Sequence, residues 1–269
     1  MTSNHTPING AALLDEVEAF HRRFNAFPTE HAYTAVTLWD AHAHLLDSFD
    51  VTPRLAFLSP APAVGKSRAL DVVGALTPNP MNAVASAAAY GRVLSGPGRR
   101  PTLLLDEADT ACDPRTDAGS ELCGFLNTGH RADGVIYQSE AGADASVRKY
   151  APYAAVALAG LGFLPDTLTA RSIVIRMHRA APGTRLEPFR PSKHAAEGTA
   201  LRERLAAWAD TVASHLGRPR VPSEVTLRQA AVWEPLLAVA EAAGSGWPER
   251  ARTACTTLAD ETNEGRHAA

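Results

Sequence analysis

A parallel α/β core with helices added at both ends is predicted by three observations. Between residues 54 and 178, short apolar runs alternate with helix-period segments. The clearest of those runs, Thr102-Leu103-Leu104-Leu105-Asp106, is continuous and apolar, as a strand covered on both faces must be. Outside that region every segment with apolar periodicity has the spacing of a helix. Strands interleaved with helices imply a parallel sheet with helical layers, here followed by an all-helical tail.

The elements read as follows. Residues 11–24 place apolar positions three and four apart and predict an amphipathic helix. A second helix is predicted over 29–48, with Thr29 as N-cap after Pro28. Pro53 stops that pattern, and residues 54–58 read as a short buried strand. A proline-rich turn over 59–64 leads to Gly65 and a helix over 66–76. After the strand at 102–106, helix period returns at 119–128. Strand-like runs follow at 153–159 and 172–178, joined by a turn and short helix over 162–171. Residues 181–192 have the proline and charge content of a linker, and helices are predicted over 196–216, 223–243 and 247–262. Gly244-Ser245-Gly246 separates the last two. The organisation expected is a helical N-terminal flank (1–50), a core (51–180), and a linker with a helical lid (181–269), with no internal repeat.

Composition excludes several classes. A chain of 269 residues with 45% hydrophobic and 20% charged residues is long and apolar enough for one full core, and it is not a disordered polymer. Charges interrupt every apolar run before it reaches a membrane span, and Met1 to Asn9 lacks a secretory signal. Cys112, Cys123 and Cys255 lie far apart without metal-type spacing, so a reducing cytoplasm is the expected location. The net charge of −3 argues against coating nucleic acid by bulk electrostatics, although a local basic face stays open. Lysine is scarce (Lys66, Lys149 and Lys193), which makes a lysine directly after Gly65 less incidental.

Gly65-Lys66-Ser67 stands between a predicted strand and a predicted helix. A P-loop holds phosphate because the backbone N–H groups of a tight loop at a helix N-terminus point at its oxygens. Its lysine neutralises the terminal phosphates, and the following hydroxyl ligates Mg²⁺. Ala63, Val64, Gly65, Lys66, Ser67 and Arg68 are therefore the candidate nucleotide contacts. The front of the motif departs from the usual form: Pro60 replaces the first glycine and Ala63 the inner one. Proline has no N–H and alanine resists positive φ, so the loop must differ locally. The alternative for Gly-Lys-Ser alone is a plain helix start.

Leu103-Leu104-Leu105-Asp106-Glu107 supplies a matching second half, of Walker-B type. A strand of this kind delivers its carboxylate to the edge where ligands bind in such sheets. Asp106 would join Ser67 around Mg²⁺, and Glu107 would polarise the attacking water. The alternative is a buried strand whose exit happens to be acidic. That Asp106-Glu107-Ala108-Asp109 spells the name of a helicase class carries no weight, because the other motifs of that class are not apparent.

The stretches TPRLAFLSPAPAVGKSRAL (52–70), PTLLLDEADT (101–110), LNTGHRADG (126–134), LAGLGFLPDTLTARSIVIRMHR (158–179) and VWEPLLAVAEAAGSGWPERAR (232–252) together carry a resemblance. In this order they resemble an actinobacterial and phage family of P-loop ATPases known only as domain-of-unknown-function family 3631. The resemblance spans roughly residues 30–260, and the last two stretches are its most specific part. It implies a ring-type or helicase-like ATPase fold of the AAA+ kind, and work in DNA replication or the maintenance of mobile elements. Relatives usually carry glycine at the place of Ala63 and a small polar residue at the place of Val64, which puts turnover in question. Longer relatives continue past the helical region, so a C-terminal module is expected to be missing.

Further candidates each have a structural alternative. Arg171, just before the strand 172–178, is placed to reach the γ-phosphate of a neighbouring subunit, which requires a homo-oligomer; the alternative is local pairing with Asp166. Asn127 is a candidate for orienting water or sensing the γ-phosphate; the alternative is a helix C-cap ahead of Gly129. Arg228 is a candidate to reach the nucleotide from the lid; the alternative is a solvated face. His42 and His44 lie two apart on a predicted helix and cannot chelate one metal. Trp233 and Trp247 are expected in the lid core. Arg99, Arg100, Arg131, Arg148 and Lys149 are the basic positions open to a DNA-facing role, with a solvated surface as the alternative.

The reading is thus an ATP- and Mg²⁺-binding ATPase that forms a homo-oligomer, has DNA as a candidate partner and has no membrane association. Two rivals stay open: a P-loop small-molecule kinase, and a nucleotide-dependent assembly protein without turnover.

Overall fold

The computed structural model describes residues 8–82, 85–140 and 146–267. It begins with α1 (Gly10–Phe24) and α2 (Glu30–His44). Both starts are capped, Asn9 Oδ1 accepting from the Ala12 N–H at 3.1 Å and Thr29 Oγ1 from the Ala32 N–H at 3.2 Å. The second helix ends earlier than its predicted span, passing at Leu45 into a 3-10 turn, Leu46–Ser48. Every residue of α2 from Ala32 to His44 is buried, so α2 is an interior helix.

The core follows as β1 (Arg54–Ser59), α3 (Lys66–Leu76), β2 (Pro80–Asn82), α4 (Ala87–Leu94) and β3 (Thr102–Leu105). It continues with α5 (Ala108–Ala111), α6 (Asp117–Thr128), a hairpin of β4 (Ile136–Glu140) and β5 (Ser146–Tyr150), β6 (Val156–Leu161), α7 (Asp166–Thr169) and β7 (Ser172–Arg176). The tail is α8 (Pro191–Val212), α9 (Leu227–Ala243) and α10 (Trp247–His267). Five strands form one parallel sheet in the order β2-β3-β6-β1-β7, and β4 and β5 pair antiparallel beside it.

Side-chain alternation along the strands divides the interior into two layers. Leu55 and Phe57 of β1, Leu104 of β3 and Ile173 and Ile175 of β7 face a core shared with α1, α2, α3, α8, α9 and α10. Ala56 and Leu58, Leu103 and Leu105, and Val174 face the opposite core, with α4, α5, α6 and α7. The N-terminal and C-terminal helices therefore pack together, α2 against α9 and α10, on the side of the sheet that carries α3. Trp233 and Trp247 lie inside that layer, each 1% exposed.

Some boundaries differ from expectation for identifiable reasons. The strand expected from 153 starts at Val156, because the Ala154 carbonyl accepts from the Arg54 guanidinium at 2.6 Å instead of from a ladder. The Tyr153 hydroxyl just before it donates to the Phe49 carbonyl at 2.6 Å. The last part of the predicted linker opens α8, with Pro191 in its first turn, where the missing N–H costs nothing.

Candidate functional site

β1 delivers the chain to the C-terminal edge of the sheet at Ser59, and the loop 60–65 carries it into α3. The Ser59 hydroxyl closes the first bend, donating to the Ala61 carbonyl at 2.9 Å and accepting from the Ala61 N–H at 3.1 Å. Ala63 then adopts φ +59 and Gly65 φ +98. Glycine suits that left-handed backbone, and the Arg68 guanidinium lies over it, its Nη2 2.9 Å from where a Cβ would stand. Ala63 has no such freedom and holds a left-handed backbone against its own Cβ.

Lys66 is the first residue of α3 and is 9% exposed; its ammonium donates to the Ala61 carbonyl at 3.3 Å. Ser67 beside it is exposed. Ala63 through Arg68, together with Arg179 and Ala180 beyond β7, line a cavity of about 430 Å³ at the helix N-terminus. Arg179 belongs to no local motif, and only the parallel pairing of β7 with β1 brings it there.

β3 ends at the same edge. In register, Leu105 aligns with Leu158 of β6, and Leu158 with Ala56 of β1, so Asp106 emerges beside the last residues of β1. One strand lies between, which sets the two strand axes about 10 Å apart. The Asp106 carboxylate accepts from the Glu107 N–H at 2.9 Å. Glu107 holds φ +53 and is exposed, projecting from the edge in a second left-handed conformation. Asp71 of α3 also belongs to this group. Burial raises its carboxyl pKa, and the nearby Asp106 charge raises it further. On the same edge, Asp109 accepts from the Leu161 N–H at 2.8 Å and fixes α5 to the end of β6.

These residues suit a phosphate chain with a divalent cation. Lys66, Arg68 and Arg179 are cations at one cavity, and among the described residues none of them forms an ion pair. A hydroxyl at Ser67 and a carboxylate at Asp106 match the sparse oxygen ligation that Mg²⁺ takes from protein when phosphates supply the rest. Among the described residues, no three His, Cys, Asp or Glu side chains are arranged to hold a metal ion by themselves.

Three other candidates lie at the opposite, N-terminal edge of the sheet. The Arg171 carbonyl accepts from the Arg54 N–H at the start of β1, so Arg171 is a full strand length from the loop 60–65 of its own chain. Its guanidinium donates to the Thr167 carbonyl at 2.6 Å, not to Asp166, and its buried Nε has no partner. The Asn127 amide donates to the Thr167 hydroxyl at 2.9 Å, which groups Asn127 with Arg171. Burial lowers the Arg171 pKa, and the charge of Arg228 at the start of α9 lowers it further, which puts Arg228 in the same neighbourhood. Buried Arg54 completes this electropositive edge. Arg171, Asn127 and Arg228 are thus brought together with one another and not with the Lys66 cavity of the same chain.

His44 Nε2 lies 2.8 Å from the Leu76 carbonyl, and His42 is enclosed near Trp39 and Phe49. Of the basic positions, Arg100 pairs with Asp47, Arg131 with Asp133, and Arg99 donates to the His44 carbonyl. Arg148 and Lys149 lie exposed on β5. Cys112, Cys123 and Cys255 are buried free thiols. No helix among the described residues is long and apolar enough to cross a membrane.

Residues 176–269 match the family model described as protein of unknown function DUF3631. That match covers the tail and the last residue of β7, whereas the loop 60–65 and Asp106 lie outside it. An uncharacterized 28.9 kDa protein in a xis 5′ region of Saccharopolyspora erythraea is 41% identical over 85 residues. This stretch is 32% of the present chain and 32% of the relative, so the chain spans about a third of that protein. The crystal structure of a full-length MCM homolog from Methanopyrus kandleri superimposes with a TM-score of 0.51 at 13% identity. It covers 95% of this chain, which spans 61% of the homolog, and the likeness is one of fold.

Proposed function

We propose that the chain is a P-loop ATPase of the AAA+ kind, working as a homo-oligomer on DNA in a reducing cytoplasm. The observation that carries this reading is the placement of Gly65-Lys66-Ser67 and Asp106-Glu107 on one sheet edge, with a single strand between them. Lys66 and the loop amides hold the phosphates. Ser67 and Asp106 would hold Mg²⁺, which would supply neutralisation of the phosphate charge when bound. Glu107 accepts a proton from the attacking water at its carboxylate oxygen. Arg171 reaches the γ-phosphate of a neighbouring subunit, since its position at the far edge excludes its own site; Asn127 and Arg228 belong to the same contact surface.

The fold shared with the MCM homolog supports the oligomer and the DNA substrate. So does the hairpin, whose Tyr137 and Val147 are 68% and 65% exposed beside Lys149. A second reading, nucleotide-dependent assembly without turnover, is favoured by Ala63 at positive φ and by two prolines in the loop.

ATP turnover with and without single- and double-stranded DNA, wild type beside Glu107→Gln, tests the reading. A DNA-stimulated rate abolished by the substitution is expected. ATP binding with no turnover under either condition would establish the assembly reading instead, and transfer of phosphate only to a small acceptor would identify a kinase.

A further inference from the structure

The loop before α3 is short of anion donors. Pro60 and Pro62 have no N–H, and the Ala61 N–H is engaged by the Ser59 hydroxyl at 3.1 Å. Only the amides from Ala63 onward remain to meet a phosphate. A loop built this way needs donors from elsewhere if it is to bind a polyphosphate.

Two guanidinium groups stand at the right place. Arg68, one residue past Ser67, folds back over Gly65, and its buried Nε has no hydrogen-bond partner. Arg179 follows β7, and it is exposed and lines the same cavity as Lys66 and Ser67. The sheet order fixes which part of a ligand Arg179 would meet. Asp106 leaves a strand two positions from β1 on one side, whereas Arg179 leaves the strand next to β1 on the other. A nucleotide whose terminal phosphate lies toward Asp106 therefore has its α-phosphate and ribose toward Arg179.

We infer that Arg179 is a nucleotide-binding residue, acting with Arg68 on the α-phosphate and ribose end to replace the donors that Pro60 and Pro62 lack. This rests on the nucleotide site proposed above. A guanidinium presents a fork of N–H donors matched to phosphate oxygens, so it serves the purpose better than a lysine. Because the contact is remote from the γ-phosphate, it is made equally with a diphosphate and a triphosphate.

The test is titration of the full chain with ATP and with ADP, each with Mg²⁺, comparing wild type, Arg179→Ala and Arg179→Lys. Loss of a charged hydrogen bond predicts that Arg179→Ala weakens both nucleotides by about tenfold or more and by the same factor. Arg179→Lys is expected to fall between. Arg179 is exposed, so a melting curve matching wild type should accompany the loss. Equal affinities for wild type and Arg179→Ala would overturn the inference, and so would a loss confined to ATP, which would place the residue at the γ-phosphate. Wild type that binds neither nucleotide would remove the site itself, and with it this role for Arg179.

Discussion

The ammonium of Lys66 lies 3.3 Å from the carbonyl oxygen of Ala61, across a loop that has lost two of its amides to proline. This contact gives the cation one long acceptor and no carboxylate, at the N-terminus of an eleven-residue helix whose dipole repels it. An anion bound in the cavity that Lys66 lines would pair with this charge and so stabilise the folded chain by linkage. Mg²⁺-ADP or Mg²⁺-ATP is therefore expected to raise the wild-type melting temperature, and Lys66→Ala is expected to lose that increment. A thermal shift titration checks this.

Ala63 at φ +59 carries a strain that glycine does not, of roughly 1 kcal/mol. Ala63→Gly should stabilise the folded chain by up to about that amount, or tighten nucleotide binding if the strain is released in the bound loop. Urea unfolding together with an ATP titration separates the two outcomes. A loss of both stability and affinity would show that the left-handed alanine is not a source of strain.

Arg171 and Asn127 both bond Thr167, at the edge opposite Lys66. Arg171→Ala should keep ATP binding and lose turnover by about a thousandfold, the size of effect seen for arginines supplied to a neighbour's phosphate. Mixing Arg171→Ala with Glu107→Gln chains should restore part of the activity, because some interfaces in the mixture pair an intact Glu107 with an intact Arg171. Turnover unaffected by Arg171→Ala would remove the shared-site reading.

Much of the fold was legible because it follows from periodicity. Helix α3 coincides with its predicted span, and the caps at Thr29 and the Gly244-Ser245-Gly246 break stand where residue chemistry puts them. The elements that went unread are those with weak periodic signals. β2 is a three-residue edge strand starting at a proline, α4 opens with three alanines, and the β4–β5 hairpin lacks strict apolar alternation. In the candidate site, both halves near one sheet edge could be anticipated because each is a local string with a local meaning. Arg179 and the grouping of Arg171 with Arg228 could not, since strand order alone brings those residues to their edges. In sequence Arg54 is likewise only the first residue of a strand, yet its side chain fixes two elements.

Arg54 is 1% exposed and donates to the Leu126 carbonyl at 2.7 Å and to the Ala154 carbonyl at 2.6 Å, joining the end of α6 to the approach to β6. Burial lowers its pKa to about 9. Arg54→Ala leaves a cavity and two unpaired carbonyls, a loss of about 3–5 kcal/mol in chemical denaturation. Arg54→Lys should not rescue it, because one ammonium cannot reproduce the fork. Stability within 1 kcal/mol of wild type (roughly the effect of an ordinary substitution) would contradict this role.

Burial lowers the His42 pKa to about 3 and the His44 pKa to about 4, from an ordinary 6.5. Both are neutral in the folded chain over that interval, while the unfolded chain takes up protons. Their contribution to stability is therefore whole above pH 6.5 and falls as the pH drops below it. Asp40, raised to about 6 by burial, has the opposite sign between its two pKa values. His42→Leu isolates one histidine: neither ring nitrogen has a partner to lose. The variant should lose stability less steeply below pH 6, by about 1.4 kcal/mol per pH unit. Parallel pH profiles for the two proteins would contradict that.

Calorimetric titration of Mg²⁺-ATP into the wild-type chain and into Lys66→Ala tests most directly whether the cavity at Gly65-Lys66-Ser67 binds a nucleotide. One saturable site per wild-type chain, weakened about tenfold or more in the variant, is the predicted result. Absence of saturable binding by wild type, or equal affinity in the two proteins, would contradict it.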